Sequence, residues 1–405
     1  MSLLKHISIQ KAGLIILLFV LMIPCKSYSQ VIKESAGEVI ISSDSYTIRL
    51  DLEKGTADFT FPNGSYLKNT VATLQLKNGV SYSSAGFGHH SYKISEISDI
   101  TVGKSISFIH TNNNEDLQLV QYITVYNDQG HIMLGVAAKT QNDIIESNYI
   151  APLAILPQHS GKAYVPSEAP RLLDMPFDND NWTKLLTVNW NDSIRSGTGY
   201  EFTALYDYET LSGLVIGNLT HDFWKTGIRY TLSASKGFLD SLIIYGGAAT
   251  PDNKWLPNEY GGYDGTHDVV AHGSMRGTSI FAPLIFLGAS GNITTAFKEY
   301  GRMNAKISGS LNWKGYAPVY WNSFGVEDVL GYRKIMMPSG VAKISDFLSD
   351  LKNFSRYSPP VLSIDSYDQE IYTTDILKSI DQYAGKHFQQ MGFYFIPFAI
   401  WTWKS

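Results

Sequence analysis

Between Glu38 and Ile307 apolar residues recur at every second position in short runs, and after Gly315 the pattern changes to helical spacing set between short apolar runs. That switch constrains the fold more than any other feature. Tyr46-Thr47-Ile48-Arg49-Leu50-Asp51-Leu52 alternates apolar with polar side chains and ends at Lys54-Gly55. A strand presents alternate residues to opposite faces, so this pattern predicts a half-buried strand followed by a turn. Ala57 to Phe61 likewise runs into Pro62-Asn63-Gly64, a turn sequence. Similar runs recur at Ser105 to His110, Leu117 to Tyr126, His131 to Ala138, Thr203 to Tyr208, Ser212 to Leu219, Gly227 to Ser233 and Leu239 to Tyr245. Short strands without helices between them predict a sandwich. A stretch of roughly 270 residues is well beyond the common sandwich of about 100 and points to a large two-sheet supersandwich. No fixed period marks a propeller or solenoid.

The second part begins with a short helix over Ile293 to Met303 and a connector from Asn304 to Lys314. Tyr316-Ala317-Pro318-Val319-Tyr320-Trp321 then predicts a buried strand. Val341, Ile344, Phe347, Leu348 and Leu351 fall on one face of a helix running to Phe354. After the Pro359-Pro360 break, Val361 to Asp365 is a second strand. Thr374 is placed to cap a helix from Asp375 to Met391, with Gly392 as its end and Phe393 to Ile400 as a third strand. Strands alternating with helices form parallel βαβ units. A complete (β/α)8 barrel takes roughly 250 residues, and 90 follow Gly315. The expected organisation is therefore residues 1–29 as a signal peptide, 30–307 as the β supersandwich and 308–405 as the first three βα units of a truncated TIM barrel.

Lys5 and Lys11 precede an apolar segment from Ala12 to Ile23, too short to span a bilayer, and Ser27-Tyr28-Ser29 supplies a cleavage site before Gln30. This predicts export to the periplasm or the exterior, with Pro24 speaking against lipid anchoring through Cys25. Cys25 is the one cysteine, so no disulfide can form within the mature chain. Cleavage removes three lysines and no acidic residue, moving the formal charge from −5 to −8, which argues against nucleic acid or anionic membrane as partner. No other stretch reads as a membrane span. The chain is 17% charged and 13% aromatic, with 25 tyrosines and 8 tryptophans. Such a balance suits both a sugar-handling protein, whose rings stack on pyranose C–H faces, and the aromatic core of any large β protein.

The carboxyl ends of the parallel strands carry motifs. Trp321-Asn322-Ser323-Phe324 resembles the G-W-N-S-W signature of the α-galactosidase and α-N-acetylgalactosaminidase clan of glycoside hydrolases. Ile364-Asp365-Ser366-Tyr367 resembles its I-D-D-G-W, and Met391 to Phe398 its K-G-L-K-x-G-I-Y transition. Upstream, Met175 to Trp182 is similar to a loop in the mutarotase-like β domain of bacterial members related to glycoside hydrolase family 36. The resemblance implies an exported retaining α-glycosidase, α-galactosidase-related and acting on terminal α-galactosides, with Asp365, Trp321, Tyr367, Asp178, Asn179 and Trp182 as substrate-binding residues. It also places the nucleophile and the acid/base on the fourth and sixth barrel strands, so no catalytic residue is expected among these 405. Phe324 replaces the clan's second tryptophan, and Ser366 replaces a carboxylate that would accept from sugar hydroxyls.

Each residue has a plainer reading beside this one. Asp365 binds a sugar hydroxyl or caps the loop after its strand. Trp321 is a sugar platform or a barrel-core ring, and Asp178-Asn179-Asp180 is sugar-facing or an Asx turn. The Gly-rich aromatic loop from Glu259 to Asp264 reaches a barrel mouth or merely turns. An EF-hand fails at Thr183 and Asn189. His89-His90 reads as a solvated turn, and no zinc, Walker, Rossmann or nucleophile-elbow motif occurs, so no metal or cofactor is expected. The functional alternatives are a glycosidase present as a fragment, with a complementary C-terminal fragment as partner, and a non-catalytic carbohydrate-binding or interaction protein.

Overall fold

A computed structural model describes residues 30–113, 116–175, 186–191, 193, 195–248, 273–310, 319–322, 337–351, 353, 359–364 and 371–393. The chain divides into two compact units, Met1–Ser310 and Leu311–Ser405. Unit 1 is built on two large antiparallel sheets. In the first, Val31–Ser35, Glu38–Ser43, Tyr46–Asp51, Thr56–Thr60 and Tyr66–Gln75 form a meander. Tyr149–Ile155, Phe238–Gly246, Thr226–Leu232 and Ser196–Tyr200 extend it in that order. The second sheet runs Leu186–Asn189, Pro170–Asp174, Phe202–Asp207, Gly213–Asn218, Ile285–Ser290, Ile132–Lys139, Gln118–Tyr126, Gly103–Thr111 and His89–Ile97. Each strand sends alternate residues inward. Ile48 and Leu50, Leu242 and Ile244, Ile106 and Phe108, and Leu214 and Ile216 meet in one buried core. The turns form where the sequence predicts them. Gly55 (φ 66°) donates to Asp51 O at 2.9 Å, and Gly64 (φ 83°) donates to Phe61 O at 3.0 Å, both in the left-handed region that glycine enters without steric cost.

Helix α1 (Ile293–Ile307) lies on the outside of the second sheet. Asn292 caps it by accepting from Thr294 N at 2.9 Å. Its apolar stripe of Ile293, Ala296, Tyr300 and Met303 packs on Met133, Val215 and Phe286. The helix extends one turn past Met303, through residues expected to be connector.

Unit 2 contains the strands Val319–Asn322, Pro360–Ile364 and Gln390–Phe393, all parallel and adjacent in that order, with helices α2 (Pro338–Asp350) and α3 (Thr374–Lys386) between them in the chain. Two local expectations fail here. Thr373, one residue earlier than expected, caps α3 by accepting from Ile376 N at 3.5 Å. The helix also ends at Lys386, so Met391 and Gly392 belong to the third strand. Gln389 N closes the α3 terminus onto Ala384 O at 3.0 Å, with Phe388 in the left-handed conformation (φ 57°). Gly392 serves close packing instead of helix termination: a Cβ there would stand 2.9 Å from Val361 Cγ1. Among the described residues no helix is long and apolar enough to cross a membrane.

Candidate functional site

The register of unit 2 sets Trp321 beside Leu362 and Leu362 beside Met391. One step on, Asn322, Ser363 and Gly392 align, and Ile364 pairs with Phe393. The three strands therefore reach their carboxyl ends together, which is the edge where parallel α/β folds hold their working groups. The two faces of this small sheet differ. Leu362, Ile364 and Met391 face the helices and pack with Val341, Ile344 and Leu348 of α2 and Ile380 of α3. On the other face Tyr320, 54% exposed, donates from its hydroxyl to Ser363 Oγ at 2.9 Å. Ser345 Oγ donates to Gln389 Oε1 at 2.7 Å and Gln389 Nε2 returns to Ser345 O at 2.8 Å. This reciprocal pair, buried at both ends, fixes α2 to the approach of the third strand.

Trp321 belongs to the helix-side cluster. Its ring meets Phe347 of α2 edge-on, with centroids 5.7 Å apart and planes at 63°. The ring is half-buried there, packed on the helix side with part of its surface accessible. Asp365 follows Ile364 in the chain. It lies outside the described residues, as do Tyr367, Asp178, Asn179, Trp182 and the Glu259 to Asp264 loop.

Unit 1 holds polar clusters that motif reading missed. Glu201 stands between two strands in the left-handed region (φ 62°), unusual for a bulky residue. Its N–H donates to Thr226 O at 3.0 Å and its carbonyl accepts from Asn218 N at 2.8 Å. The carboxylate accepts from Thr226 N (3.1 Å), Asn218 Nδ2 (3.1 Å) and His221 Nδ1 (3.1 Å). His221 Nε2 donates to Asn304 Oδ1 of α1 at 2.9 Å. These contacts favour the protonated imidazole, and the pKa of His221 is raised, first by the Glu201 hydrogen bond. Burial alone would raise Glu201, but the bonds from His221, Asn218 and Thr226 prevail and hold it low.

Asp207 is another such group. Burial opposes its charge, yet Ser167, Thr210 and the Ala169 N–H hold its pKa far down. Asp174 is raised by burial and accepts from Tyr230 O–H at 2.6 Å. The solvated turn expected at His89-His90 is instead the start of a strand. His110 Nε2 donates to Gln121 Oε1 at 2.9 Å, leaving its Nδ1 to accept from half-buried His90 Nδ1 at 2.9 Å. Burial holds His110 down to about 3. Glu201, Asp207 and Asp174 are thus each committed to protein partners and tie strands together. A retaining glycosidase needs two carboxylates about 5 to 5.5 Å apart and free to face a sugar, whereas each of these three accepts hydrogen bonds from its own protein neighbours. No group of three or more His, Cys, Asp or Glu side chains suited to a metal ion occurs among the described residues.

No family model matches the chain, and no curated protein matches it by sequence. Solved structures do. The galactosidase domain of an α-galactosidase–sucrose kinase matches with TM-score 0.53 at 8% identity, over 90% of this chain and 57% of that one. A GH36 α-galactosidase from Geobacillus stearothermophilus matches with TM-score 0.50 at 9% identity, over 90% and 56%. A β-arabinopyranosidase matches with TM-score 0.54 at 12% identity, over 92% and 56%. The chain thus has the fold of GH36 α-galactosidases, and it spans 56–57% of the length of these structures.

Proposed function

We propose that these residues are the N-terminal, sugar-handling part of an exported α-galactosidase-type glycoside hydrolase, comprising a β supersandwich (30–307) and the first βα units of a catalytic TIM barrel (308–405). The observation that carries this reading is the order of the two architectures in one chain. A two-sheet antiparallel unit is followed by parallel strands with intervening helices, and glycosidases match about nine-tenths of that sequence of elements. The substrate class is a terminal α-galactoside. Asp365 and Tyr367, next to the carboxyl end of the second parallel strand in the chain, are assigned to its hydroxyls and ring, and Asp178, Asn179 and Trp182 to a second contact. Lys5, Lys11 and the Ala12 to Ile23 segment support export.

A second reading concerns what this chain does by itself. The resemblance assigns nucleophile and acid/base to strands four and six, and the described residues include three parallel strands. On this reading the chain by itself binds α-galactosides without cleaving them, and a complementary segment with the remaining strands supplies the chemistry.

Calorimetry with an α-galactoside oligosaccharide and an aryl α-galactoside assay test both. Binding should weaken about tenfold in Asp365→Ala, the loss of one charge-assisted hydrogen bond, with no turnover by either protein. Absence of binding overturns the sugar-handling assignment. Turnover that survives Asp365→Ala, in a preparation free of host glycosidase, overturns the placement of the chemistry.

A further inference from the structure

The outer face of the first sheet carries a row of aromatic rings that neither reading above uses. Tyr66, Tyr164 and Phe238 stand on three adjacent strands. The register pairs Tyr164 with Tyr66 on one side and with Phe238 on the other. Their neighbours Leu67, Ala163 and Leu239 point the opposite way, into the buried core, so strand alternation sets the three rings outward. The centroids of Tyr66 and Tyr164 are 5.3 Å apart and those of Tyr164 and Phe238 4.3 Å, with planes tilted by 42° and 32°. All three are half-buried, so they form one continuous aromatic strip that keeps part of its surface accessible.

Beside the strip the register places Lys68 directly opposite Lys162. Like charges facing each other across a strand pair are destabilising, and neither lysine has a carboxylate within ion-pair distance among the described residues. The Lys68 ammonium sits over the Tyr66 ring, 4.7 Å from its centroid, which anchors the charge at the end of the strip. Both lysines are exposed. The register thus sets two lysines without carboxylate partners, among the described residues, opposite each other on one face, and an anion received between them would relieve their repulsion.

We propose that this strip is a binding surface for an anionic polysaccharide, its pyranose C–H faces stacked on Tyr66, Tyr164 and Phe238 and a carboxylate or sulfate received between Lys68 and Lys162. The surface lies wholly in unit 1 and does not depend on the α-galactoside assignment. It would hold the protein on a charged glycan independently of any cleavage.

Affinity electrophoresis of the 405-residue chain in gels containing polygalacturonate, dextran sulfate or neutral galactan tests it. Retardation is expected with at least one of the two anionic polymers and not with galactan, and the two arms separate carboxylate from sulfate as the recognised group. Lys68→Glu/Lys162→Glu should weaken binding about tenfold or more, with the melting temperature unchanged because both side chains are exposed. Tyr164→Ala should weaken it as well, whereas a loss in the lysine variant that Tyr164→Ala does not share would reduce the site to a bare charge effect and overturn the stacking role. Equal retardation by galactan, no retardation by either anionic polymer, or full retention in the double-lysine variant overturns the proposal.

Discussion

Glu201 shows how one side chain can settle several orphan groups at once. Its left-handed backbone costs free energy, and five hydrogen bonds to Thr226, Asn218 and His221 hold it there. His221 binds its proton more tightly in the native state, so its stabilisation is complete below the unfolded value of about 6.5 and fades as pH rises through the raised native pKa. Glu201 is depressed, so its contribution is present above the unfolded carboxyl value and is lost as pH falls through the lowered native one. Glu201→Gln should therefore drop the His221 pKa toward its unperturbed value and cost about 1 to 2 kcal/mol, a range already reduced for the solvent that screens half-exposed His221. Histidine NMR titration and thermal melting read the two effects, and an unmoved His221 would refute the pairing. His110 has the opposite sign. Its native pKa of about 3 lies below the unfolded value, so the unfolded state takes up the proton first and stability falls as pH drops from about 6.5 toward 3. Gln121→Leu should add about 1 to 3 kcal/mol of destabilisation, because it leaves the buried His110 N–H without an acceptor. Urea titrations at pH 7 check it, and a neutral outcome would mean that His110 finds another partner.

At the scale of elements, local pattern was readable and distant partnership was not. The runs from Tyr46 to Leu52 and from Leu239 to Tyr245 alternate because one face of each strand is buried, so their strands are visible in sequence. Gly392 was misread because a glycine after an apolar helical stripe looks like a terminator, while its actual role is set by Val361, which lies on another strand. His221 and Asn304 are 83 positions apart, and no spacing rule links them. His90 appears solvated until its strand is laid beside the one that carries His110. The α3 terminus offers a direct test of backbone strain. Phe388 occupies the left-handed position that glycine usually fills, and it is 81% exposed, so its ring contributes little packing. Phe388→Gly should stabilise unit 2 by about 0.5 to 1 kcal/mol, the steric relief outweighing glycine's greater unfolded-state entropy. Hydrogen exchange of the α3 amides measures it, and faster exchange in the variant would count against the strain argument.

On the scale of the whole molecule the two units are unequal in what they bury. Unit 1 encloses an extensive core between its sheets and a second layer beneath α1, both made of its own residues. Unit 2 draws on one cluster around Leu362 and Ile364, and its first and third strands each pair on one side only among the described residues. Beyond Phe393 the sequence continues Tyr394-Phe395-Ile396-Pro397-Phe398-Ala399-Ile400, apolar and uncharged. Unpaired strand edges next to such a segment recruit other chains. A protein comprising residues 30–310 should therefore fold alone, melt cooperatively and run as a single species in size-exclusion chromatography. On the proposed barrel reading, the chain extended to Ser405 should associate as its concentration rises. If residues 30–310 fail to fold while the longer chain remains monomeric, unit 2 is integral to a single cooperative fold and the proposed division into a β domain and a barrel part is wrong.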